Sequence, residues 1–546
     1  MTHRPHWWQA AVAYQIYPKS FFDSNGDGVG DLPGIMAKLD ELEKLGIDLL
    51  WLTPVYRSPD DDNGYDISDY QAINPQYGTM ADFERLLAEA HRRGMRVIMD
   101  LVINHTSDEH PWFIESRQSK DNPYRDYYIW RDGKDGREPN NWSSHFSRSA
   151  WTFDAQTNQY YLHLFSRKQP DLNWENPQVR AEIQAMIAWW LEKGIDGFRL
   201  DAINLISKAA GLPDNRPDGR YVLGTDGDYI FSLEHFRNGP AFHDYLQELN
   251  RNVFRHSDIV TVGECALLTI ADTIAITAPE RGELDMTFLF EHTDYYNLVA
   301  KDPQKLKEII TRWQVGLHGR GWTGLAFNNH DQPRVVSCFG NDTVYREPSA
   351  KLFATLLLTL EGTPFLYQGE EIGMTNTYYE TILEYNDVAT VNIYREKVAA
   401  GADPHLVFEQ VRQTSRDRGR SPYQWNAGSQ AGFTTGVPWL GPNRNYSEIN
   451  LASNLADPNS IFHYYRQMIA LRKQTPALIL GEFVAQAAPP ELFVYQRLYQ
   501  EEVYQVVLNL SETQVSYSGS GQLLIGNYEP ADPARLQPYE ARLYKL

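Results

Sequence analysis

The sequence has little of several features that would point to particular classes of protein. It contains two cysteines in 546 residues, which excludes a disulfide framework and suits a reducing compartment. No run approaches the ~20 apolar residues that a transmembrane helix needs. The N-terminal segment lacks both a long apolar stretch and a small-residue cleavage site, which argues against a signal peptide. We therefore expect a cytoplasmic protein with no membrane partner.

Positive charge is also scarce. Lys and Arg number 50 against 71 Asp and Glu, so the formal net charge is −21. An acidic chain of this size repels a phosphate backbone, and we find no basic tract, so we expect no nucleic-acid partner. Aromatic residues make up 13% of the chain, and flat rings suit both a large core and a pocket for a neutral, ring-shaped ligand.

Apolar strand patterns alternate with amphipathic helix patterns along most of the chain. Repeated βα units with buried strands form a parallel sheet covered by helices, so the alternation predicts a (β/α)₈ TIM barrel. A helix is predicted over 33–45, and a capping box at Thr79 and Asp82 predicts another. The eight predicted strands are 12–17, 48–52, 96–101, 195–200, 259–263, 284–288, 324–327 and 364–367.

Two segments depart from this alternation. The first, rich in Asn, Asp, Ser, Arg and aromatic residues, predicts an irregular domain inserted after the third strand. In the second, short apolar runs separated by Gly, Ser and Pro predict a small all-β domain. The predicted organisation is a barrel over 1–105 and 175–479, the inserted domain over 106–174, and a C-terminal β-sandwich over 480–546.

Charged residues cluster at the ends of the predicted strands, where TIM barrels carry their chemistry. Asp201 ends the fourth strand two residues after Arg199, so both side chains point to one side. A guanidinium beside a carboxylate lowers its pKa and keeps it ionised, as a nucleophile requires. Glu264, after the fifth strand, lies near other carboxylates and is expected to keep its proton near neutral pH. One ionised and one protonated carboxyl group are the two groups that glycoside cleavage with retention requires.

A structural interpretation of the same residues is also open. A carboxylate at a strand end is often a helix cap or part of a structural ion pair, and each residue taken alone favours that interpretation. Other strand ends carry further polar residues, namely Asp100, Asn104, His105, His330 and Asp331. Capping alone does not explain the joint pattern at four strand ends, so the residues point to a carboxylate-based hydrolase.

The sequence resembles the α-amylase family, glycoside hydrolase family 13, over nearly the whole chain. The motifs that carry the resemblance are, in order, AVAYQIYPKSFFDSNGDGVGDLPGI, WLTPVYRSPDDDNGYDISDY, DLVINHTSDEHPWF, QPDLNW, GFRLDAIN, VGE, NNHDQPR, GTPFLYQGEEIGM and SRDRGRSPYQW. QPDLN is distinctive of a branch of bacterial cytosolic oligo-1,6-glucosidases and α-glucosidases. The resemblance implies a retaining, exo-acting α-glucosidase that releases glucose from the non-reducing end of maltose-type, isomaltose-type or sucrose-type substrates.

The resemblance also implies a role for each matching residue. Asp201 resembles the nucleophile, Glu264 the acid/base, and Asp331 the third carboxylate, which fixes the sugar hydroxyls. Asp62 and Arg416 are expected to pair at the pocket floor, which closes the site to one sugar and implies exo-action. Further positions that match residues around the terminal glucose are Tyr65, His105, Phe146, Phe165, Gln169, Arg199 and His330. For Tyr65 and the phenylalanines, plain core packing is the alternative.

A loop after the first strand places oxygen ligands at every second residue, with glycines between them. Related enzymes bind calcium in this loop, and the resemblance assigns as ligands Asp23, Asn25, Asp27, the carbonyl of Val29, and Asp31. The alternative is a polar surface turn. We expect a structural Ca²⁺ ion here, because the loop is the first βα loop, and no organic cofactor.

Other functions on the same scaffold stay open at this point. A transglycosylase such as a sucrose isomerase carries an Arg-rich loop after the third carboxylate, where this chain offers only Arg334. A trehalose-6-phosphate hydrolase needs a cationic phosphate site, for which the sequence shows no clear candidate. A transporter-associated binding relative loses the catalytic carboxylates and gains a membrane helix, whereas this chain keeps the carboxylates. The sequence leaves a monomer and a dimer equally open.

Departures from the family pattern leave the linkage preference open among α-1,4, α-1,6 and sucrose. Ala202 follows the nucleophile, where α-1,6-specific members usually carry Val, and Cys265 follows the acid/base, where Met or Ile is more usual. The branch commonly shows ARTPMQWD where this chain has GRSPYQWN. Alanine lacks the two methyl groups of a stiff valine, so we expect the site to admit α-1,4 and sucrose-type aglycones.

Overall fold

The computed structural model describes residues 5–293, 302–529 and 532–546. Eight parallel strands close into a barrel in which each strand pairs with its neighbours along the chain and the last pairs with the first. Each predicted strand overlaps an observed one, so the prediction of a TIM barrel is confirmed. The strands are β1 (Ala13–Ile16), β2 (Leu49–Leu52), β3 (Arg96–Val102), β4 (Gly197–Asp201), β5 (Val260–Gly263), β6 (Met286–Phe288), β7 (Thr323–Leu325) and β8 (Thr363–Tyr367).

Helices follow the strands and cover the barrel from outside. The predicted capping box is confirmed, since the Thr79 side chain accepts a hydrogen bond from the Asp82 amide at the start of Met80–Arg92. The single helix predicted over 33–45 is wrong: it is two helices, and Lys38 between them donates its amide to the Ile35 carbonyl in a tighter turn. The described α-helices are Trp7–Ala10, Leu32–Met36, Leu39–Leu45, Met80–Arg92, Pro111–Ser116, Pro177–Glu192, Phe242–Asn252, Ile270–Thr277, Pro303–Leu317, Val335–Cys338, Arg346–Thr359, Val388–Ala399, Pro404–Thr414, Asp417–Arg420, Leu451–Ala456, Ile461–Gln474 and Pro476–Leu480.

The segment between β3 and β4 has more regular structure than expected. It contains an antiparallel sheet with the strand order Trp130–Arg131, Gln159–Leu162, Trp151–Asp154. A buried ion pair connects this segment to the chain that follows β4. In it, Lys208 Nζ lies 2.7 Å from Asp171 Oδ2 of the inserted segment. This attachment holds the inserted segment over the carboxyl ends of the strands.

The C-terminal part is all-β, as predicted. Five antiparallel strands form one sheet, in the order Glu482–Ala485, Leu492–Tyr499, Glu502–Asn509, Ala541–Lys545, Gln522–Gly526. A second, two-stranded sheet pairs Val515–Ser516 with Arg535–Leu536. The domain boundaries given above stay predictions.

Three elements near the barrel mouth were not predicted. A hairpin of Val222–Asp226 and Tyr229–Ser232 lies in the long connection after β4. The helices Val388–Ala399 and Pro404–Thr414 lie in the long connection after β8. Among all described helices, none combines the length and the apolar character needed to span a membrane.

The start of β4 allows only glycine, which gives a test of the barrel packing. Gly197 has φ +141°, and a Cβ there would lie 1.9 Å from the Val260 carbonyl oxygen of β5. Backbone cannot move aside as a side chain can, so we expect Gly197→Ala to reduce the free energy of unfolding by about 2–4 kcal/mol. Urea unfolding measures this loss. Gly94→Ala is the control, because Gly94 also has positive φ but has nothing within 4 Å of its Cβ position. Equal losses in both variants would contradict the proposed contact.

Candidate active site

The barrel strands bring the predicted catalytic carboxylates to one place. In the pairing of β3 with β4, Val102 lies opposite Asp201. Leu200 of β4 lies opposite Gly263 of β5, so Glu264, the next residue after β5, lies beside Asp201. Asp331 follows β7. All three predicted catalytic residues line one cavity of about 80 Å³, which we call the inner pocket.

The predicted substrate residues surround the same pocket in two layers. Gln169 lies in the outer layer, where its Nε2 donates to Asp62 Oδ2 at 3.1 Å and to the Tyr65 carbonyl at 3.3 Å. Arg199 and His330 also lie behind the wall, fully buried. The structure therefore gathers the whole predicted set, and its roles in substrate binding stay predictions. The side chains of the wall itself, besides the three carboxylates, are Asp62, Tyr65, His105, Phe146, Phe165 and Arg416.

Arg199 joins the two carboxyl groups proposed for catalysis. Its Nη1 lies 2.6 Å from Asp201 Oδ1, and its Nη2 lies 2.9 Å from Glu264 Oε1. The other Glu264 oxygen accepts a hydrogen bond from the Ala202 amide at 2.9 Å. Asp100 binds the same guanidinium from β3. One buried cation therefore fixes the orientation of three carboxylates.

The pKa of Asp201 differs from the expectation drawn from its sequence. Burial raises this pKa well above its usual range, and repulsion from Glu264 and Asp100 adds to the rise. Arg199 acts in the opposite direction, as expected, but burial outweighs it, so the predicted net lowering is wrong. Sequence showed the cation but not the extent of burial, which leaves Asp201 only 7% exposed.

A hydrogen-bonded chain supports Arg199 from behind. Gln15 Nε2 of β1 lies 2.7 Å from His330 Nδ1, and His330 Nε2 lies 2.7 Å from the Tyr65 hydroxyl. Tyr65 in turn donates to Asp100 at 3.2 Å. Burial lowers the pKa of His330 to about 3, so its ring is neutral near pH 7. Because Gln15 donates to Nδ1, the ring proton lies on Nε2, which is 2.7 Å from the Tyr65 hydroxyl and 3.2 Å from Asp331 Oδ2.

Asp331 stays ionised because cations surround it. Its Oδ1 lies 2.7 Å from Arg420 Nη2 and 3.3 Å from Arg416 Nη1. Burial acts to raise the pKa of Asp331, but its interactions with His330, Arg416 and Arg420 hold that pKa well below its usual range. Arg420 lies within the quoted SRDRGRSPYQW motif, but it was not assigned a role from the sequence.

The predicted pair at the pocket floor is present. Arg416 Nη2 lies 2.8 Å from Asp62 Oδ1 and 2.7 Å from Asp387 Oδ1. Asp387 was missed, because it lies outside every quoted motif, and its side chain also caps the helix Val388–Ala399. The signal that would have found it is a helix-capping Asp directly before that helix.

A second cavity of about 430 Å³ adjoins the inner pocket, and we call it the outer chamber. The two share Phe146, Phe165, Glu264, Asp331 and Arg416. The elements that were not predicted line the chamber: the hairpin after β4 and both helices after β8. The chamber therefore adjoins the inner pocket at Glu264.

The loop assigned to calcium is wound by successive hydrogen bonds two residues apart. Asp23 Oδ1 accepts from the Asn25 amide at 3.0 Å, Asn25 Oδ1 from the Asp27 amide at 2.8 Å, and Asp27 Oδ1 from the Val29 amide at 2.9 Å. Asp23 and Asp31 are buried. The loop offers carboxylate oxygens, the side-chain amide oxygen of Asn25 and the carbonyl oxygen of Val29, and oxygen ligands of these types suit a hard cation. Within the described residues, no group of three or more His, Cys, Asp or Glu side chains is arranged to hold a metal.

Comparison with known proteins agrees with this geometry. The family description "Alpha amylase, catalytic domain" matches residues 15–481. The chain is 51% identical to an oligo-1,6-glucosidase from Halalkalibacterium halodurans over 98% of each chain. It is 46% identical to a trehalose-6-phosphate hydrolase from Bacillus subtilis, over 100% of this chain and 99% of the relative. The crystal structure of the trehalulose synthase MutB from Pseudomonas mesoacidophila matches with a TM-score of 0.94 at 43% identity, over 100% of both chains. The chain therefore belongs to the α-amylase family of glycoside hydrolases.

Proposed function

We propose that the protein is a retaining, exo-acting α-glucosidase that releases glucose from the non-reducing end of short α-glucosides. The observation that carries the proposal is the inner pocket, in which the three carboxylates and the Asp62–Arg416 pair line one cavity of about 80 Å³. A small pocket with an ion pair in its wall suits a single terminal sugar. The relatives named oligo-1,6-glucosidase support this substrate class.

In the proposed reaction the ionised form of Asp201, which pairs with Arg199, attacks the anomeric carbon while Glu264 gives its proton to the glycosidic oxygen. The bond to the aglycone breaks, and a covalent glucosyl ester of Asp201 forms. Glu264, now ionised, takes a proton from water as that water attacks the same carbon and frees Asp201. Two inversions at one carbon give retention. Arg199 contacts both carboxyl groups, so it positions them and offsets the charge that each gains in turn.

The outer chamber supports hydrolysis of neutral substrates over the two alternatives. Among the residues that the structure describes in the chamber lining, Arg416 is the single positively charged side chain. It is already paired with Asp62, Asp331 and Asp387. A phosphorylated aglycone would find no uncommitted cation there, which disfavours a trehalose-6-phosphate hydrolase. Arg334 lies over the Tyr367 ring at 4.5 Å and does not line the chamber, which disfavours a sucrose isomerase.

We also propose that calcium binds the loop through Asp23, Asn25, Asp27, the Val29 carbonyl and Asp31, and has a structural role. The alternating oxygen donors and the burial of the two end carboxylates support this. The low cysteine content supports a cytoplasmic location, which we propose as well.

Retention is the first testable consequence. Proton NMR of the reaction should show α-glucose first, and initial β-glucose would contradict Asp201 as nucleophile. We expect Asp201→Asn and Glu264→Gln each to lose about 10³-fold or more in kcat/KM while keeping the wild-type melting temperature. Asp457→Asn, the same chemical change at an exposed position, is the control and should be fully active.

Calcium gives a second test. A ligand that binds only the folded state stabilises it, so chelation should lower the melting temperature of the wild type and affect catalysis only indirectly. Asp27→Ala should have this lower melting temperature already and respond no further to chelator, whereas the exposed control Asp121→Ala should behave as wild type. No density between Asp23 and Asp31 in calcium-soaked crystals would refute the site.

The linkage preference gives a third test. Ala202 lines the outer chamber beside Glu264, so we expect the wild type to cleave maltose or sucrose at least as well as isomaltose. Ala202→Val narrows the chamber and should shift the ratio of kcat/KM values toward isomaltose by about tenfold. Ala202 has φ +43°, where a β-branched residue is strained, so the variant should also melt at a lower temperature. The ratio of the kcat/KM values for two substrates, measured on one sample, does not change when part of that sample is unfolded.

Ala202→Ser is the control for this test, because it adds one unbranched atom and should leave the ratio near that of the wild type. A wild type that cleaves isomaltose far better than both maltose and sucrose would show that Ala202 does not widen the specificity.

A further inference from the structure

The chain makes a strained turn directly after Glu264. Residues 264–269 connect β5 to the helix Ile270–Thr277. The Glu264 amide donates to the Leu200 carbonyl at 2.9 Å, so the chain is still bound to β4 at this point. Three residues later, Leu267 has φ +53°, in the left-handed region that side chains other than glycine rarely adopt. A backbone in this conformation persists only where surrounding contacts hold it.

The side chain of Arg237, from the connection after β4, supplies such contacts. Its Nε lies 3.2 Å from the Ala266 carbonyl oxygen and 3.1 Å from the Leu267 carbonyl oxygen. Its Nη2 donates to the same Leu267 oxygen at 2.6 Å and lies 2.5 Å from Asp272 Oδ2. Its Nη1 donates to the Tyr221 hydroxyl at 3.2 Å. All three nitrogens of a side chain that is only 5% exposed therefore have partners.

The contact with Asp272 joins the turn to the helix that follows it. Asp272 accepts hydrogen bonds from the Thr269 amide and hydroxyl in the capping box that begins this helix. Because an unpaired buried cation is strongly destabilising, the turn cannot move away without a cost in free energy. Arg237 lines neither the inner pocket nor the outer chamber in the part of the chain that the structure describes. Any effect of Arg237 on the reaction must therefore pass through the turn.

We infer that Arg237 is a positioning residue that holds the carboxyl group of Glu264 at the glycosidic oxygen; this inference rests on the proposed function. The contacts of that carboxyl group with Arg199 and the Ala202 amide form only while the backbone at Glu264 keeps its direction. A general acid must lie within hydrogen-bond reach of the atom that takes its proton. A displacement of about 1 Å, caused by a change far from the reacting atoms, can cost about 100-fold in rate.

Two aryl α-glucosides, 4-nitrophenyl and 4-methoxyphenyl, test this role. Their aglycones are similar in size, but 4-nitrophenol is the stronger acid, so it departs with less help from a proton donor. The ratio of their kcat/KM values therefore reports proton donation, whereas unfolding or a displaced chamber wall lowers both values by similar factors. We expect Arg237→Met to raise the ratio of the nitrophenyl to the methoxyphenyl value by about tenfold.

Arg180→Met is the matched control. Arg180 donates to the carbonyls of Trp174 at 2.8 Å and Glu175 at 3.1 Å, and it pairs with Glu248 at 2.9 Å. It thus resembles Arg237 in binding two carbonyls and one carboxylate, but these partners lie outside the turn after β5. The ratio in Arg180→Met should equal that of the wild type. An equal rise in both variants would overturn the inference, because it would be a general effect of removing an arginine.

A second variant keeps the test decisive if Arg237→Met does not fold. Arg237→Lys keeps the positive charge, but a single ammonium group replaces the fork that spans two carbonyls and Asp272. We expect it to raise the ratio by about threefold. A wild-type ratio in every folded variant of Arg237 would overturn the inference.

Glu264→Gln separates this inference from the proposed function. Because it removes the proton donor itself, it should raise the same ratio by about 100-fold. If the ratio in Glu264→Gln equals that of the wild type, Glu264 is not the acid, and the proposed function and the inference fail together. If Glu264→Gln raises the ratio but the Arg237 variants do not, only the inference fails.

Discussion

The buried guanidinium of Arg199 is the group on which the rest of the site depends. It contacts carboxylates from three consecutive strands, Asp100, Asp201 and Glu264, in an interior where an unpaired charge would be strongly destabilising. The register of the barrel decides whether this contact forms, because it sets Asp100 opposite Arg199. Hydrogen bonds through Gln15, His330 and Tyr65 then connect the first strand to Asp100. A rigid charged centre follows from barrel geometry together with the need to pair every buried charge.

The inner pocket and the outer chamber are built from different parts of the chain. Barrel strand ends supply the carboxylates, while the hairpin after β4 and the two helices after β8 supply part of the chamber wall. Arg416 joins the two regions, since it binds Asp62 and Asp331 as well as Asp387, which caps one of those helices. Changes in the long connections can therefore alter the chamber wall without moving the carboxylates of the inner pocket. This division is typical of TIM barrels, which vary their loops around a fixed frame.

Much of the fold and of the charged centre could be predicted from the sequence. Short, largely apolar strands followed by polar residues predict both the barrel and the carboxylates at its mouth. The break at Lys38 could not be predicted, because Leu39 and Leu42 continue the helical period across it. The first strand of the hairpin, Val222–Asp226, has no buried residue, so no alternation of buried and exposed residues marks it. The upward shift in the pKa of Asp201 depends on burial, which only the tertiary structure determines.

The account stands on Asp201 as the residue that becomes covalently attached to glucose, and trapping that ester tests it most directly. A slow fluorinated α-glucosyl fluoride should inactivate the enzyme and leave one sugar attached. Mass spectrometry of the digested protein should then find the sugar on the peptide that contains Asp201, and no label should form in Asp201→Asn. A label on the peptide of Glu264 or Asp331, or turnover of glucosyl fluoride with no covalent adduct, would contradict the account.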